Sequence, residues 1–475
     1  MIHLTQEGIK SFNEALIKEL PKPLKKLSLW GNQISSFKGC ENLPKNLKEL
    51  RLTSNQISSF KGCENLPRNL EILHIGDNQI SSFEHSEGLP TDLKELYTEF
   101  NKISSFKGSE NLPKSLKKLI LDNNQIGSFK GCEKLPRNLK YLGLRSNQII
   151  IFGHSECLPM GLETLGLGNN QIRSFEQSEG LPMSLETLDL GTNQIRSFEH
   201  SECLPKGLVE INIADNQISS LKGCENLPKS LKKFCLGCNQ ISSFKHLDNL
   251  PNLKILILTG NQISSFKGCE NLPRNLENLN LWNNQISSFE YSEGLSRTLE
   301  KLTLWDNQIS SFKGSENLPK NLKSINLWGN KISSFEHSEG LPRTLEYLDL
   351  CDNKIKSFEF CEKLPKNLKT IVLLRNKIGS FEFCEWLPIK LKNIYIEETL
   401  ENQKTILNYT KFEFKNTLDC IKFLQRHYQC FISVLNEIYG NPYLERMKTE
   451  LKEEERQLKE DPELFYELIN QNLYN

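Results

Sequence analysis

The sequence predicts an α/β solenoid, curved like a horseshoe. It should carry a concave parallel β-sheet, convex loops with 3-10 turns, and a helical C-terminal cap. Three observations predict it. The tripeptide Asn-Gln/Lys-Ile recurs from Asn32 to Asn376 in steps of 23 residues, with one step of 22 between Asn239 and Asn261. Apolar residues alternate just before each Asn, as in Leu27-Ser28-Leu29, which is the period of a strand. From about residue 400 the apolar period becomes helical.

Residues 1–19 form the first element, an N-terminal cap made from a degraded repeat. Ile2, Leu4, Ile9 and Phe12 fall on the columns of Leu27, Leu29, Ile34 and Phe37, with Glu7 where Asn should stand. Residues 20–399 form the solenoid, with sixteen full repeats and a partial one that has Thr399 in the Asn place. Each unit reads Leu-Pro-x-x-Leu-x-x-Leu-x-Leu-x-x-Asn-Gln-Ile-x-Ser-Phe-x-x-Cys/Ser-Glu-x. The Leu columns should stack into a sheet with strands roughly 4.8 Å apart and a dry interior behind them. Asn should satisfy backbone groups of its own and neighbouring turns. Phe follows five residues after Asn in fifteen of sixteen repeats, Leu221 being the exception, and should form an aromatic spine on the convex side. Pro44 and its equivalents should hold an extended chain entering the next strand, with Ser296 in the Pro place once.

Residues 400–475 form the tail. Leu418, Ile421, Leu424, Tyr428, Phe431, Leu435 and Ile438 line one helical face that Gly440 ends. Asn441-Pro442 and Asp461-Pro462 should each start a further helix.

The repeat contains the core L-x-x-L-x-L-x-x-N-x-L, with Ile in the last place, and so resembles the leucine-rich-repeat family over about four fifths of the chain. Its length and the Asn-x-Ile-x-x-Phe segment are similar to the short-repeat subclass of type-1 phosphatase regulators. Leu-Pro before each strand is similar to bacterial ubiquitin-ligase effectors. That second resemblance implies a catalytic cysteine in a large C-terminal domain, whereas this tail is short and its Cys420 and Cys430 sit within the helical pattern.

Composition narrows the function. Of 475 residues 37% are apolar and 25% charged, and 59 basic side chains balance 59 acidic ones. A neutral chain offers no broad footprint for nucleic acid or an anionic membrane. No apolar run approaches the roughly 20 residues that span a bilayer. The start, Met1-Ile2-His3-Leu4-Thr5-Gln6-Glu7, lacks the pattern of a secretory signal. A soluble, cytoplasmic monomer is expected.

The chemistry-bearing residues have bland readings. Cys40, Cys63, Cys132, Cys224, Cys269, Cys361 and Cys384 share a column that otherwise holds Ser in all but one repeat, so the place asks for a small side chain and reduced thiols are expected. Cys235-x-x-Cys238 is a lone pair without a second ligand set. His85, His154, His200 and His337 share another column, read as a decorated edge too spread out to bind a metal. Neither a nucleophile with its base, nor a phosphate loop, nor paired metal ligands occur at useful spacing. No catalytic residue, metal or cofactor is expected.

Variation among the repeats concentrates on the concave strand. Trp282, Trp305 and Trp328 occupy one column in consecutive repeats and should form an exposed ladder of rings roughly 5 Å apart. Asn280, Thr303, Asn326 and Asp349 flank them, and Tyr347, Asp306 and Asp352 complete an amphipathic patch. The small residues Gly143, Gly166, Gly168, Gly191 and Gly237 should leave room beside it. A second patch, of Arg51, His74, Tyr97, Glu99, Tyr141 and Arg145, is mixed in charge. The reading is a non-enzymatic scaffold that binds a protein partner on the ladder. The alternatives are a glycan-binding module, a substrate adaptor for ubiquitin transfer whose tail docks a ligase, and a purely structural array whose tryptophans stack for stability.

Overall fold

The computed structural model describes residues 2–13, 15–378, 386–388 and 390–395. The expected tail helices lie outside the described residues, as do Phe381, Cys384, Thr399, Cys420 and Cys430. The chain divides into two compact units. The first runs to Gln240 and takes in Asn249–Leu253, and the second takes Ile241–Asp248 and the described residues from Lys254 on.

In the first unit each repeat contributes one short strand: β1 (Ile2–His3), β2 (Lys26–Ser28), β3 (Glu49–Arg51), β4 (Ile72–His74), β5 (Glu95–Tyr97), β6 (Lys118–Ile120), β7 (Tyr141–Gly143), β8 (Thr164–Gly166), β9 (Thr187–Asp189), β10 (Glu210–Asn212) and β11 (Lys233–Cys235). All pair in parallel and in repeat register: Ile2 faces Leu27, Leu27 faces Leu50, and Ile211 faces Phe234. The second unit does the same with β12 (Ile255–Ile257), β13 (Asn278–Asn280), β14 (Lys301–Thr303), β15 (Ser324–Asn326), β16 (Tyr347–Asp349), β17 (Thr370–Val372) and β18 (Asn393–Tyr395). There Leu256 faces Leu279 and Ile371 faces Ile394. These are the strands that the Leu alternation predicts, in parallel sheets with 3-10 turns on the return path, such as Cys63–Asn65 and Ser292–Gly294.

Equal repeat length explains the register, because the same residue returns to the same place one strand over. Leu43, Leu47, Leu50, Leu52, Ile57 and Phe60 of one repeat are all buried. Each such side chain contributes roughly 1.5–3 kcal/mol when removed from water, but only because its counterparts in the flanking repeats cover it. The Phe column is core rather than surface: Phe37–Phe60, Phe60–Phe83 and Phe175–Phe198 stack with centroids 6.5, 6.2 and 6.0 Å apart. Where Leu221 replaces Phe, the strand residue Phe234 replaces Leu and meets Phe198 edge-on at 5.9 Å.

The ladder Asn acts as its position suggests. Asn147 Nδ2 donates to Leu121 O and Leu144 O at 3.0 and 3.1 Å, and its Oδ1 accepts from Ile126 N at 2.9 Å. One side chain thereby pairs backbone groups of two repeats that would otherwise be buried unsatisfied.

Three features depart from the sequence reading. Pro44 opens a turn instead of an extended entry, closed by Leu47 N–H donating to Pro44 O at 3.1 Å, and Ser296 opens the same turn to Leu299. The chain must reverse there, and the first turn position makes no demand on the N–H that Pro lacks. The histidine column has a backbone cause. His85, His154, His200 and His337 have φ of 66, 68, 63 and 64°, the left-handed place that Gly62 and Gly108 fill elsewhere with φ of 93 and 84°. Lastly, Ala15–Lys18 forms a single helical turn, α1, with Ile17 buried.

Candidate partner-binding site

The ladder is built by register. Because Asn280, Thr303 and Asn326 stand opposite one another across β13, β14 and β15, the residues two positions on must also line up. These are Trp282, Trp305 and Trp328. Their rings stack with centroids 4.6 and 4.5 Å apart and planes 12 and 15° from parallel. Trp282 is 38% exposed, while Trp305 and Trp328 are partly exposed. Rings this close and this parallel cover each other's faces, so the stack presents indole edges along its length.

The polar flank holds the ladder in place. Asn280 Oδ1 accepts from Trp282 N at 3.0 Å, and Asn326 Oδ1 accepts from Trp328 N at 2.9 Å. Asp349 repeats the motif on Cys351 N at 3.0 Å, while its Oδ2 accepts from Asn326 Nδ2 at 3.2 Å and from the Tyr347 hydroxyl at 3.3 Å. Asp349 is buried, not presented at the surface, and burial pushes its carboxyl above the usual range. Burial, followed by the Asp349 charge, pushes Tyr347 up to about 12. Thr303 is half-buried between the two asparagines. Asp306 is exposed and its Oδ2 accepts from Trp282 Nε1 at 3.2 Å.

The signal for this holding role was legible only in part. Asx residues two before the tryptophan column were visible as neighbours, but not as acceptors for its backbone. One residue was missed. At Gly329 a Cβ would clash with Asp306 Oδ1, so Asp306 leans into space that glycine leaves open.

The glycine row belongs to the first unit. It is partly filled: a Cβ at Gly143 would lie 2.8 Å from Asp122 Oδ1, one at Gly191 2.9 Å from Asn212 Nδ2, and one at Gly168 3.2 Å from Asp189 Oδ2. The second patch is also stacked. His74 and Tyr97 lie 4.2 Å apart, and Lys118 Nζ sits 5.1 Å from the Tyr97 centroid and 4.9 Å from that of Tyr141. Arg51 bonds Glu49 at 2.7 Å, and burial lowers His74 to about 4. Glu99 has a buried Oε2 without a partner, and burial, then Asp122, raise its carboxyl. Arg145 is exposed and its backbone N–H donates to Asp122 Oδ1 at 2.8 Å.

The cysteine column holds buried thiols outside any disulfide at Cys40, Cys63, Cys132, Cys224, Cys269 and Cys361. Burial pushes Cys40, Cys63 and Cys269 up to about 12, where the nucleophilic thiolate is scarce. Among the described residues no three His, Cys, Asp or Glu side chains converge on a possible metal ion, and no helix is long and apolar enough to cross a membrane.

Comparison with known proteins agrees with this architecture. A family model described as leucine-rich repeats in two copies matches residues 24–67, 251–296 and 297–341. The leucine-rich-repeat protein LIC12759 of Leptospira interrogans is 28% identical, with a TM-score of 0.57 over 84% of this chain and 95% of that one. The leucine-rich-repeat domain of APL1 is 20% identical, with a TM-score of 0.52 over 74% and 89% of the two chains. YopM from Yersinia enterocolitica is 25% identical, with a TM-score of 0.48 over 80% and 84%. No curated protein matches the sequence significantly.

Proposed function

Because the chain is a leucine-rich-repeat protein, built on a fold that commonly serves as a protein-interaction scaffold, we propose that it is a non-enzymatic scaffold that captures a protein segment on the outer face of the sheet in its second unit. The observation that carries the proposal is the stack of Trp282, Trp305 and Trp328, with the Trp282 and Trp328 backbone held by Asn280 and Asn326. Binding energy concentrates in rigid aromatic anchors. A ladder whose backbone is already fixed loses little conformational freedom when a partner arrives.

The edge-on presentation favours a protein segment over a glycan. Sugars pack on aromatic faces, and here neighbouring rings cover most of the faces. A peptide can use the edges, through apolar contact and hydrogen bonds to indole N–H.

The test is selection from a displayed peptide library on the intact chain, compared with the variant Trp282→Ala/Trp305→Ala/Trp328→Ala. The variant should keep its far-ultraviolet circular dichroism, because these rings lie outside the core, and lose the selected peptides by tenfold or more, the consequence of about 1.4 kcal/mol. A folded variant that retains every selected peptide would refute the proposal.

A further inference from the structure

Resting on the ladder as a docking surface, we infer that its occupant is a basic segment in the polyproline II conformation, with cationic side chains three residues apart. The argument begins with hydrogen bonds. Trp282 Nε1 donates to Asp306 Oδ2, the residue 24 positions on. The equivalent of Asp306 one repeat later is Gly329, which has no side chain to offer. Among the described residues neither Trp305 Nε1 nor Trp328 Nε1 has an acceptor, and neither is sealed from solvent. The ladder therefore shows two open donors on neighbouring strands. A segment with unpaired main-chain carbonyls can fill one of them, and polyproline II leaves every carbonyl uncommitted.

Charge supplies the second half. In the column just after the tryptophans the residues are Asn283, Asp306, Gly329, Asp352 and Arg375. Asp306 and Asp352 are exposed and bound to no cation among the described residues. They sit in the turns three residues past the ends of β14 and β16, two strand spacings apart, which is roughly 9.6 Å at 4.8 Å per strand. A polyproline II helix returns to the same face every three residues, roughly 9.3 Å along its axis. Basic side chains three apart in such a segment would meet Asp306 and Asp352 together. A β-strand would offer a same-face repeat at roughly 6.7 Å or 13 Å and would miss one of them. Gly329, lying between the two acids, leaves room for Asp306 to lean over and puts no bulk in the path of the segment. Arg375, exposed in the turn after β17, ends the acidic run and would repel a cation placed further along.

The probes are acetylated and amidated peptides: Lys-Pro-Pro-Lys-Pro-Pro-Lys, its Glu-for-Lys counterpart, and Lys-Gly-Gly-Lys-Gly-Gly-Lys, which keeps the charge but not the preset backbone. Each is titrated into the full chain while indole emission is followed, in low salt and in salt high enough to shorten the screening length to about 3 Å. The Lys-Pro peptide should bind about tenfold or more tightly than either other peptide, and lose most of its affinity in high salt. The variant Asp306→Asn/Asp352→Asn, which keeps the acceptor for Trp282, should bind it about tenfold more weakly. If the Glu-Pro peptide binds as well as the Lys-Pro one, or the double variant binds unchanged, the basic segment is wrong while the ladder as docking surface stands. If none of the three binds and the library yields no ligand that needs the tryptophans, both readings fall.

Discussion

Glu99 shows what one side chain contributes when the repeat gives it no partner. Its Oε2 is buried and unpaired, and burial together with the nearby Asp122 holds its carboxyl above the ordinary 4.5. The folded chain therefore holds this proton more tightly than the unfolded chain. Below the unfolded carboxylate range both states are protonated and the penalty vanishes. As pH rises through the native value the penalty appears in full. Glu99→Gln keeps the shape without the charge. It should leave stability unchanged at pH 4 and raise it at pH 8 by on the order of 1 kcal/mol, the scale on which an unpaired buried polar group is penalised. Urea unfolding at the two pH values measures this, and an equal shift at both would sink it. Sequence alone could not find such a group. It marks Glu99 as one acid in a mixed patch, whereas the missing partner is a fact of packing. The ladder Asn lies at the opposite extreme. Its recurrence at one place, always before Ile, is enough to assign it the backbone groups that Asn147 binds.

Strands and turns were legible where a column is uniform and obscure where two columns trade. Alternating apolar residues before each Asn give β2 to β17 directly, because alternation is the geometry of a strand. The left-handed residues were not read, because Gly, His, Gln, Tyr and Phe all occur at that place. A mixed column looks like decoration unless its glycines are taken as the signal. Leu221 and Phe234 illustrate a trade that no single column reveals. A ring is lost from the Phe spine and one is gained on β11 beside Phe198. If the two substitutions compensate in volume, Leu221→Phe alone should overpack the core and cost about 1–3 kcal/mol. Phe234→Leu alone should leave a void and also destabilise the fold. The double change should recover most of the loss, a coupling of at least about 1 kcal/mol in a double-mutant cycle. Strict additivity would show that the two sites ignore each other. The candidate site was legible to the same degree: register alone lines up the three tryptophans, while the bonds that Asn280 and Asn326 accept from the tryptophan backbone and the space at Gly329 are facts of packing.

Repetition makes the length of the unit, more than its composition, the quantity the fold protects. Every strand pairs only with its neighbours, and each ladder Asn binds backbone of its own and adjoining repeats. Stability should then be close to a sum over repeats and their contacts. Within the first unit, removal of residues 162–184, 23 in all, joins Gly161 to Leu185 and puts β9 where β8 stood, with Leu188 opposite Leu142 in place of Leu165. The Leu, Ile, Phe and Asn columns stay aligned, so this variant should fold with an unchanged circular-dichroism signal per residue. Removal of residues 162–183, one fewer, leaves Ser184 as an extra residue ahead of the strand and pushes the apolar set toward the wrong face. The one natural 22-residue step, between Asn239 and Asn261, is accommodated by a return path that forms no 3-10 turn among the described residues. The 162–183 deletion has no such adaptation, since Ser178–Gly180 belongs to the removed stretch and the turns on either side keep their 23-residue design. Thermal melts of the two deletions should differ by about 2 °C or more, the shift expected of a couple of kcal/mol in a chain of this size. Equal melting of the two would mean that register is not what the repeat length preserves.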